Sequence, residues 1–597
     1  MKELAYPFDN AYIMKKKRSI KRNLLNDGSN RIEKKIAVLG GSTTNDVISC
    51  MELFLLDNGI KPVFYQSEYG QYWQDAIFGN EELDEFSPDV IYIHTTIRNI
   101  QPEISPKMTL EEIENAFENE KQRFKIMWSA LERKFHCTII QNNFEMPFFR
   151  LMGNREASDV HGVVNFVTRL NMAFYEYAQK HNDFYINDIN WLSAMYGLEK
   201  WSDPEYWYMY KYALDINAIP QLAYQICSII KSLFGKNKKA IAVDLDNTMW
   251  GGVIGDDGVD NISIGKETAE AMAYYEFQKY IRSLKDIGVV LTVCSKNDEE
   301  NALAGLSHPE GVVNPDDFAV IKANWEPKDK NISDTANELD LLTESFVFAD
   351  DNPAEREIVR EQLKGISVPE LTRVSDYIRI IDRSEFFEVT NFSEDDLKRG
   401  EMYKANAQRE MEKTRFESYE DYLRSLNMTA EINDFKPIYI QRITQLANKS
   451  NQFNLTTKRY TQGEIESIFD SSDYIRLYGK LYDKFGDNGI VSVVIGKKKS
   501  DELHIELWIM SCRVLKRGLE YAMLDKLVDN SVRAGVKKIY GYYYPTAKNK
   551  MVSELYDSFG FSKLSVDENG NCVWMLETDN YVNKNKVIKI IDDNDEN

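Results

Sequence analysis

Lys239-Ala-Ile-Ala-Val-Asp-Leu-Asp-Asn-Thr248 is the stretch from which the fold can be read. Ala240 to Val243 is a short apolar run, as expected of a strand buried on both faces of a parallel sheet. It ends on Asp244 and Asp246. Side chains alternate along an extended segment, so both carboxylates leave the strand tip on the same side. The hydroxyl of Thr248 follows. In an open α/β sheet, ligands bind beyond the carboxyl ends of the strands. Two acids placed there repel each other unless a cation or a shared proton separates their roles. Phosphoryl transfer uses such a pair, one carboxylate as nucleophile and one as acid/base, with Mg²⁺ screening the phosphate. A turn or capping role for Asp-x-Asp competes with that reading.

Three further segments extend it. Val289 to Cys294 is another apolar run, ending at Ser295-Lys296-Asn297. Lys328 follows Asn324-Trp-Glu-Pro327, and Ser345-Phe-Val-Phe-Ala349 runs into Asp350-Asp351-Asn352-Pro353. Hydroxyls such as Thr248 and Ser295 can hold phosphate oxygens, and Lys328 can neutralise developing charge. Asp350 and Asp351 can hold a hard cation through oxygen ligands. In this order the segments resemble the four motifs of the haloacid-dehalogenase (HAD) superfamily. The wording of Asp244-Leu-Asp-Asn-Thr-Met-Trp-Gly-Gly252, Cys294-Ser-Lys-Asn297 and Phe348-Ala-Asp-Asp-Asn-Pro-Ala-Glu-Arg356 is similar to FkbH-like proteins. That resemblance implies an enzyme that makes glyceryl-acyl carrier protein from 1,3-bisphosphoglycerate. It implies Asp244 attacking phosphorus and Asp246 protonating the leaving oxygen. Thr248, Ser295 and Lys328 would hold phosphate, and Mg²⁺ would be held by Asp244, Asp246 (through its carbonyl), Asp350 and Asp351.

At 597 residues the chain exceeds a single core and is expected to form several domains. No window approaches a membrane-spanning run, and the basic cluster Lys15-Lys-Lys-Arg18 has no apolar segment after it, which argues against a secretory signal. Six scattered cysteines without Cys-x-x-Cys suit a reducing cytoplasm and argue against structural zinc. A net charge of −22 disfavours nucleic acid and anionic membrane as partners.

Along the chain, 1–32 reads as an N-terminal extension. Section 33–235 alternates strands and helices from Lys35-Ile-Ala-Val-Leu39 onward, implying a parallel sheet with helices on its faces. Its Gly40-Gly-Ser-Thr-Thr44 resembles the first block of SGNH hydrolases, where the serine is the nucleophile. The place matching the family's late Asp-x-x-His reads Asp215-Ile-Asn-Ala218, His161 follows Asp159 too closely, and His94 sits at a strand end without an evident acid. A serine without its base is a poor nucleophile. The section is therefore expected to be degenerate, with a binding or docking role. On the HAD resemblance, section 238–383 is expected to be a Rossmann-like parallel-sheet domain with a minimal cap and a glycine-rich flap hairpin over Gly251–Gly258. Residues 384–426 read as a solvated helical connector, and 583–597 as an acidic tail.

The order of elements over 427–582 resembles the GNAT acyltransferase fold, α+β, so the whole is α/β multidomain. The region after its fourth strand keeps Gly518 but departs from that family's coenzyme A pattern at Leu515 and Glu520. A carboxylate there would oppose a pyrophosphate, which fits a phosphopantetheine-bearing acyl carrier protein better. Cys512 stands at the strand end among Arg513, Lys516 and Arg517, and cations lower a thiol's pKa. FkbH-like proteins carry the same Ser-Cys-Arg-Val wording, which implies that Cys512 holds the glyceryl group as a thioester. Asn451, Asn454 and Asn549, with Arg513, Lys516 and Arg517, are further candidates for binding substrate or carrier. Turn and capping roles compete for the asparagines. The reading is a cytoplasmic enzyme that takes a phosphorylated three-carbon substrate and uses Mg²⁺. The alternatives are a HAD phosphatase whose last domain only binds, or an acyltransferase or scaffold with a vestigial HAD site.

Overall fold

The computed structural model describes residues 1–390, 399–413, 415–450, 452–546 and 548–591. Among the described residues the fold mixes helices with three sheets, two parallel and one mixed. The chain divides into two compact units, Met1–Lys236 with Thr461–Glu464, and Asn237–Tyr460 with Ile465–Asn597. Among the described residues, no helix is long and apolar enough to cross a membrane.

In the first unit, β1 (Ile32–Gly40), β2 (Ile60–Gln66), β3 (Val90–His94), β4 (Thr138–Asn142) and β5 (Phe184–Asn187) form a parallel sheet in the order β2-β1-β3-β4-β5. The tail of β1 and all of β3 and β4 are buried, as helices on both faces require. The expected N-terminal extension is part of this unit: helix Asn10–Leu25 buries Ile13, Ile20 and Leu24 in the same core as Ile36 and Val38.

The second unit opens with β6 (Ala240–Val243), β7 (Val290–Ser295), β8 (Val320–Ala323) and β9 (Phe346–Ala349), all parallel, in the order β8-β7-β6-β9. Each is a short, mostly buried apolar run, and the parallel pairing delivers Asp244, Ser295 and Asp350 to one edge. The expected flap hairpin is not a two-stranded ribbon. A single antiparallel bridge joins Gly251 to Ser263, and the glycine-rich stretch winds into the short helix Ile254–Asp257. The helix is tied down by the Asp257 carboxylate, which accepts the Val253 N–H at 2.8 Å.

The last section holds β10 (Thr429–Asn433), β11 (Phe453–Asn454), β12 (Tyr474–Asp483), β13 (Gly486–Lys499), β14 (Glu502–Met510), β15 (Lys538–Tyr543), β16 (Ser562–Val566), β17 (Cys572–Glu577) and β18 (Lys589–Ile591). They form one mixed sheet, β16-β17-β15-β14-β13-β12-β10-β18, with β11 added to β14. β14 and β15 are parallel but pair only from Glu502 to His504, and then diverge. β11 pairs with Met510 and Ile509 of β14, and the Tyr544 N–H donates to the Leu455 carbonyl at 2.9 Å. The helix expected over Asn549–Phe559 is instead two short pieces, Lys550–Val552 and Leu555–Ser558.

The expected solvated connector needs a correction. Helix Arg399–Lys413 buries Met402, Tyr403, Asn406 and Arg409, and Tyr403 joins the core beneath β6 and β9. The Ser393–Lys398 stretch of that connector and the tail residues 592–597 lie outside the described residues.

Candidate active site

Asp244 follows β6 and is held by its backbone N–H donating to the Ala349 carbonyl of β9 at 2.9 Å. Lys328 is the first residue of helix Lys328–Glu338, downstream of β8, and its side chain is only 4% exposed. Its Nζ lies 2.8 Å from Asp244 Oδ2 and 2.6 Å from Asp350 Oδ2. Burial opposes the ammonium form, but these two carboxylates outweigh it and raise the Lys328 pKa. Burial, and then the charge of Asp244, push the carboxyls of Asp350 and Asp351 upward.

One carboxylate oxygen from each of Asp244, Asp350 and Asp351 lies within 4.8 Å of the others, a group that could hold a metal ion. Such an all-oxygen, anionic donor set fits a hard divalent cation. Asp246 is placed differently. Its Oδ1 accepts from Trp250 Nε1 at 2.9 Å and from the Ile254 N–H at 3.1 Å, and its Oδ2 accepts from Asn297 Nδ2 at 3.0 Å. The carboxylate thus lies outside the three-acid group, which leaves its carbonyl as the group it could offer a metal. Burial raises its pKa, the bonds from Ile254 and Trp250 pull the other way, and Asp244 adds to the rise. The β6 acids therefore have separate partners, one on an ammonium and one among neutral donors.

Thr248 is corrected by its surroundings. It is fully buried, accepts the Asp351 N–H at 3.1 Å and donates to Asp351 Oδ1 at 3.3 Å. It ties the β6 turn to the loop after β9 instead of lining a phosphate site. Ser295, 1% exposed, stands at the end of β7 as expected. Asn247 makes the turn possible by taking a left-handed backbone (φ 55°), which asparagine tolerates well. Its Oδ1 accepts the Gly252 N–H at 3.0 Å.

Three positions in the quoted motifs were given no role from sequence. Asn297 aligns Asp246, and Trp250, fully buried, donates to it. Arg356 Nη1 donates to the carbonyls of Asp350, Asp351 and Leu371 at 2.6–2.9 Å, fixing the loop that carries two of the acids. Each was legible only as part of a motif string, because the bonds span 51 residues for Asn297 and 5–15 for Arg356.

The second expected centre divides. Cys512 opens the turn Cys512–Val514 directly after β14, and its side chain lies outside what the structure describes. Arg513 and Arg517 are buried, not free to meet a carrier. Arg513 Nε donates to Ser511 Oγ at 3.2 Å, and Arg517 Nη2 donates to the Arg513 carbonyl at 2.6 Å and to Asn406 Oδ1 at 2.7 Å. Asp483, with no exposed side-chain area, accepts from Arg517 at 3.1 Å and from Arg409 at 2.7 Å. An Arg-Asp-Arg network thus welds helix Arg399–Lys413 to the end of β12 and the turn after β14. Lys516 is exposed, with a left-handed backbone (φ 63°).

Asn549 and Asn454 are also structural braces. Asn549 Nδ2 donates to the Asn454 carbonyl at 2.9 Å, and Asn454 Oδ1 accepts the Thr457 N–H at 2.8 Å. Asn451 lies outside the described residues.

A parallel β8-β7-β6-β9 sheet with this acid group at its carboxyl edge and a buried lysine between two of the acids defines a HAD-like site. Residues 35–231 match the model of the FkbH N-terminal domain. The chain is similar to the N-terminal part of the Bacteroides fragilis protein BF1531, a structure containing a phosphatase domain complexed with Mg. The identity there is 28% over 63% of this chain and 99% of that chain, with a TM-score of 0.59. The ribosomal-protein-S18-alanine N-acetyltransferase of Escherichia coli matches at 16% identity over 26% of this chain and 99% of that one, TM-score 0.21. Ard1 of Thermoplasma volcanium matches at 17% over 25% and 97%, TM-score 0.20. No curated protein matches the chain.

Proposed function

We propose that the chain is a Mg²⁺-dependent phosphatase-type enzyme that also transfers a glyceryl unit. On this reading it takes 1,3-bisphosphoglycerate and passes a glyceryl thioester from Cys512 to an acyl carrier protein. The observation that carries the phosphatase part is the convergence of Asp244, Asp350 and Asp351 within 4.8 Å, beside Lys328. The similarity to a phosphatase domain complexed with Mg supports the same reading.

Asp244 Oδ would attack phosphorus, forming an acyl phosphate as the bond to the leaving oxygen breaks. Asp246, whose pKa is raised, would give that oxygen its proton. Water would then release phosphate and restore Asp244. Lys328 and Ser295 would hold the phosphoryl oxygens. Held by Asp244, Asp350, Asp351 and the Asp246 carbonyl, Mg²⁺ would supply charge stabilisation at the phosphoryl group. The acyl phosphate of the substrate is already activated, so thiolate attack on its carbonyl expels phosphate and leaves the acyl group on sulfur. That step needs mainly positioning and oxyanion stabilisation.

The domain division 1–32, 33–235, 238–383, 384–426, 427–582 and 583–597 is kept as part of this proposal, with helix Asn10–Leu25 of 1–32 packed into the core of 33–235 and the buried helix Arg399–Lys413 serving as a shared element inside the second unit. A second reading, a phosphatase whose last section only binds, is favoured by one observation. The edge of β14 beyond His504 is already taken by β11, and Arg513, Arg517 and Asn549 are engaged inside the fold. Purified protein with 1,3-bisphosphoglycerate, Mg²⁺ and carrier protein decides between them. Asp244→Asn should abolish phosphate release from C3, and Cys512→Ser should abolish carrier loading while sparing that release. No loading by the wild type would leave the second reading, and loading by Cys512→Ser would mean another acyl route.

A further inference from the structure

The carboxyl edge of the first unit's sheet carries a polar floor that the phosphatase reading does not use. Ser42 lies just after β1, His94 ends β3, Asn142 ends β4 and Asn187 ends β5, and all four are at most 2% exposed. They are knitted together. The Gly41 N–H donates to the His94 carbonyl at 2.9 Å, Asn142 Nδ2 lies 3.2 Å from His94 Nδ1, and Asn187 Nδ2 donates to Asn142 Oδ1 at 2.7 Å. Asn142 Nδ2 also donates to the Thr95 carbonyl at 3.2 Å, which fixes the orientation of that amide. His94 Nδ1 is engaged twice, by Asn142 Nδ2 and by the Tyr92 hydroxyl at 2.9 Å, which leaves Nε2 as the ring nitrogen without a partner among the described residues. Burial holds the imidazole neutral, with its pKa pulled down to about 4.

Buried atoms at this edge that have no hydrogen-bond partner among the described residues include Ser42 Oγ, His94 Nε2, Asn187 Oδ1 and Glu145 Oε1. The other oxygen of Glu145 accepts the Ile97 N–H at 3.2 Å. Burial raises this carboxyl to about 7, so near neutrality much of it is uncharged. Buried polar groups left unpaired are costly, and in folded proteins they are the exceptions that mark a function. Here the set offers a hydroxyl that can give or take a hydrogen bond (Ser42), an imidazole nitrogen (His94 Nε2) and acceptors (Asn187 Oδ1, Glu145 Oε1). The mixture suits hydroxyl groups, which both give and take hydrogen bonds. It does not suit Ser42 as an activated nucleophile, because His94 Nδ1 meets Asn142 and Tyr92 and not a carboxylate that would orient the imidazole as a base.

Above this floor the same edge is rimmed by aromatic side chains. The Arg98 guanidinium lies 4.3 Å from the Trp207 ring centroid and 5.7 Å from that of Phe148. Thr43 Oγ1 donates to the Tyr210 carbonyl at 2.7 Å, which anchors helix Pro204–Tyr210 beside β1. On these two segments Phe149 is 81% exposed and Tyr208 73% exposed. Exposed aromatics beside buried, unpaired polar groups mark binding surfaces.

We propose that the carboxyl edge of β1, β3, β4 and β5 is a binding site for a neutral carbohydrate or polyol. Ser42, His94 and Asn187 bond its hydroxyls, and the aromatic rim covers its apolar face. The test is saturation-transfer difference NMR on the full chain with methyl β-D-glucopyranoside and with ribitol as probes. Transfer to at least one probe is expected, falling at least fivefold in Ser42→Ala. Tyr208→Ala, an exposed change that cannot disturb the core, should weaken transfer several-fold with the melting curve unchanged. No transfer from either probe to the wild type means the unpaired atoms meet only water and overturns the proposal. Transfer unaffected by both variants also overturns it. So does Ser42-dependent hydrolysis of p-nitrophenyl acetate, which would make the serine a nucleophile.

Discussion

Replacing Lys328 by methionine removes the cation that lies 2.8 Å from Asp244 and 2.6 Å from Asp350 while roughly keeping the side chain's volume. What remains is three carboxyl groups within 4.8 Å, buried or half-buried, with no ammonium among them. Breaking a buried ion pair from one side costs about 3–5 kcal/mol, because the surviving charge stays desolvated. Without metal, the second unit should lose stability on that scale. A divalent cation can take over the neutralising role, so millimolar Mg²⁺ should recover most of the loss. Catalysis should not recover, because Lys328 is also placed to meet phosphoryl charge. The loss of one such preorganised donor is about 10²–10³ in kcat. The assay is phosphate release from p-nitrophenyl phosphate and 1,3-bisphosphoglycerate, alongside denaturant unfolding with EDTA and with Mg²⁺. Activity within about threefold of wild type, or unfolding midpoints equal in EDTA, would refute the assignment of Lys328 as counter-charge to this acid group.

Three other consequences can be measured. Asn297→Ala frees Asp246 Oδ2 from its 3.0 Å bond; kcat should fall about tenfold, a typical hydrogen-bond-sized effect, with KM little changed. A fall in affinity alone would mean that Asn297 touches substrate instead. The carboxyls of Asp246, Asp350 and Asp351 are all raised in the folded state, so the fold binds their protons more tightly than the unfolded chain does. Their contribution to stability is complete below the ordinary carboxylate value of about 4 and is lost as pH rises through the folded values. Metal-free protein should therefore lose stability over that range, and the stabilisation given by Mg²⁺ should grow with pH; a Mg²⁺ increment flat from pH 4.5 to 7.5 contradicts this. Asp483→Asn uncouples Arg409 and Arg517, buried side chains at 2.7 and 3.1 Å. It should cost about 3–5 kcal/mol in denaturant unfolding, and a cost under about 1 kcal/mol would remove the network from the account.

The β6 stretch was readable because its signal is local. Four buried apolar residues ending on Asp244 and Asp246 leave little choice of strand, edge or face. Ser295, Lys328 and Asp350 could be placed in the same way, each at the end of a run or the start of a helix. What the sequence hid is the allocation of polar groups between distant positions. Thr248 looked like a phosphate hydroxyl, yet Asp351, 103 residues on, occupies it on both sides. Arg513 and Arg517 looked like a basic docking patch beside Cys512, yet Asp483 and Asn406 hold the guanidinium of Arg517 and Ser511 that of Arg513 inside the fold. Helix Arg399–Lys413 reads as charged and solvated because its apolar residues are few, but Met402 and Tyr403 are the ones buried. In each case composition reports what a side chain can bond to, and only the packed chain decides which partner it meets. The unpaired atoms around His94 were invisible for the same reason, since absence of a partner is a property of the fold.

The claim that phosphate chemistry serves a thioester rests on Cys512. Intact-protein mass spectrometry after brief incubation with 1,3-bisphosphoglycerate and Mg²⁺, without carrier protein, tests it most directly. The account expects one glyceryl acyl group bound to the chain, mapping to the peptide that contains Cys512, released by hydroxylamine and absent in Cys512→Ser. Phosphate release with Cys512 unmodified, or an adduct that persists in Cys512→Ser, would contradict it.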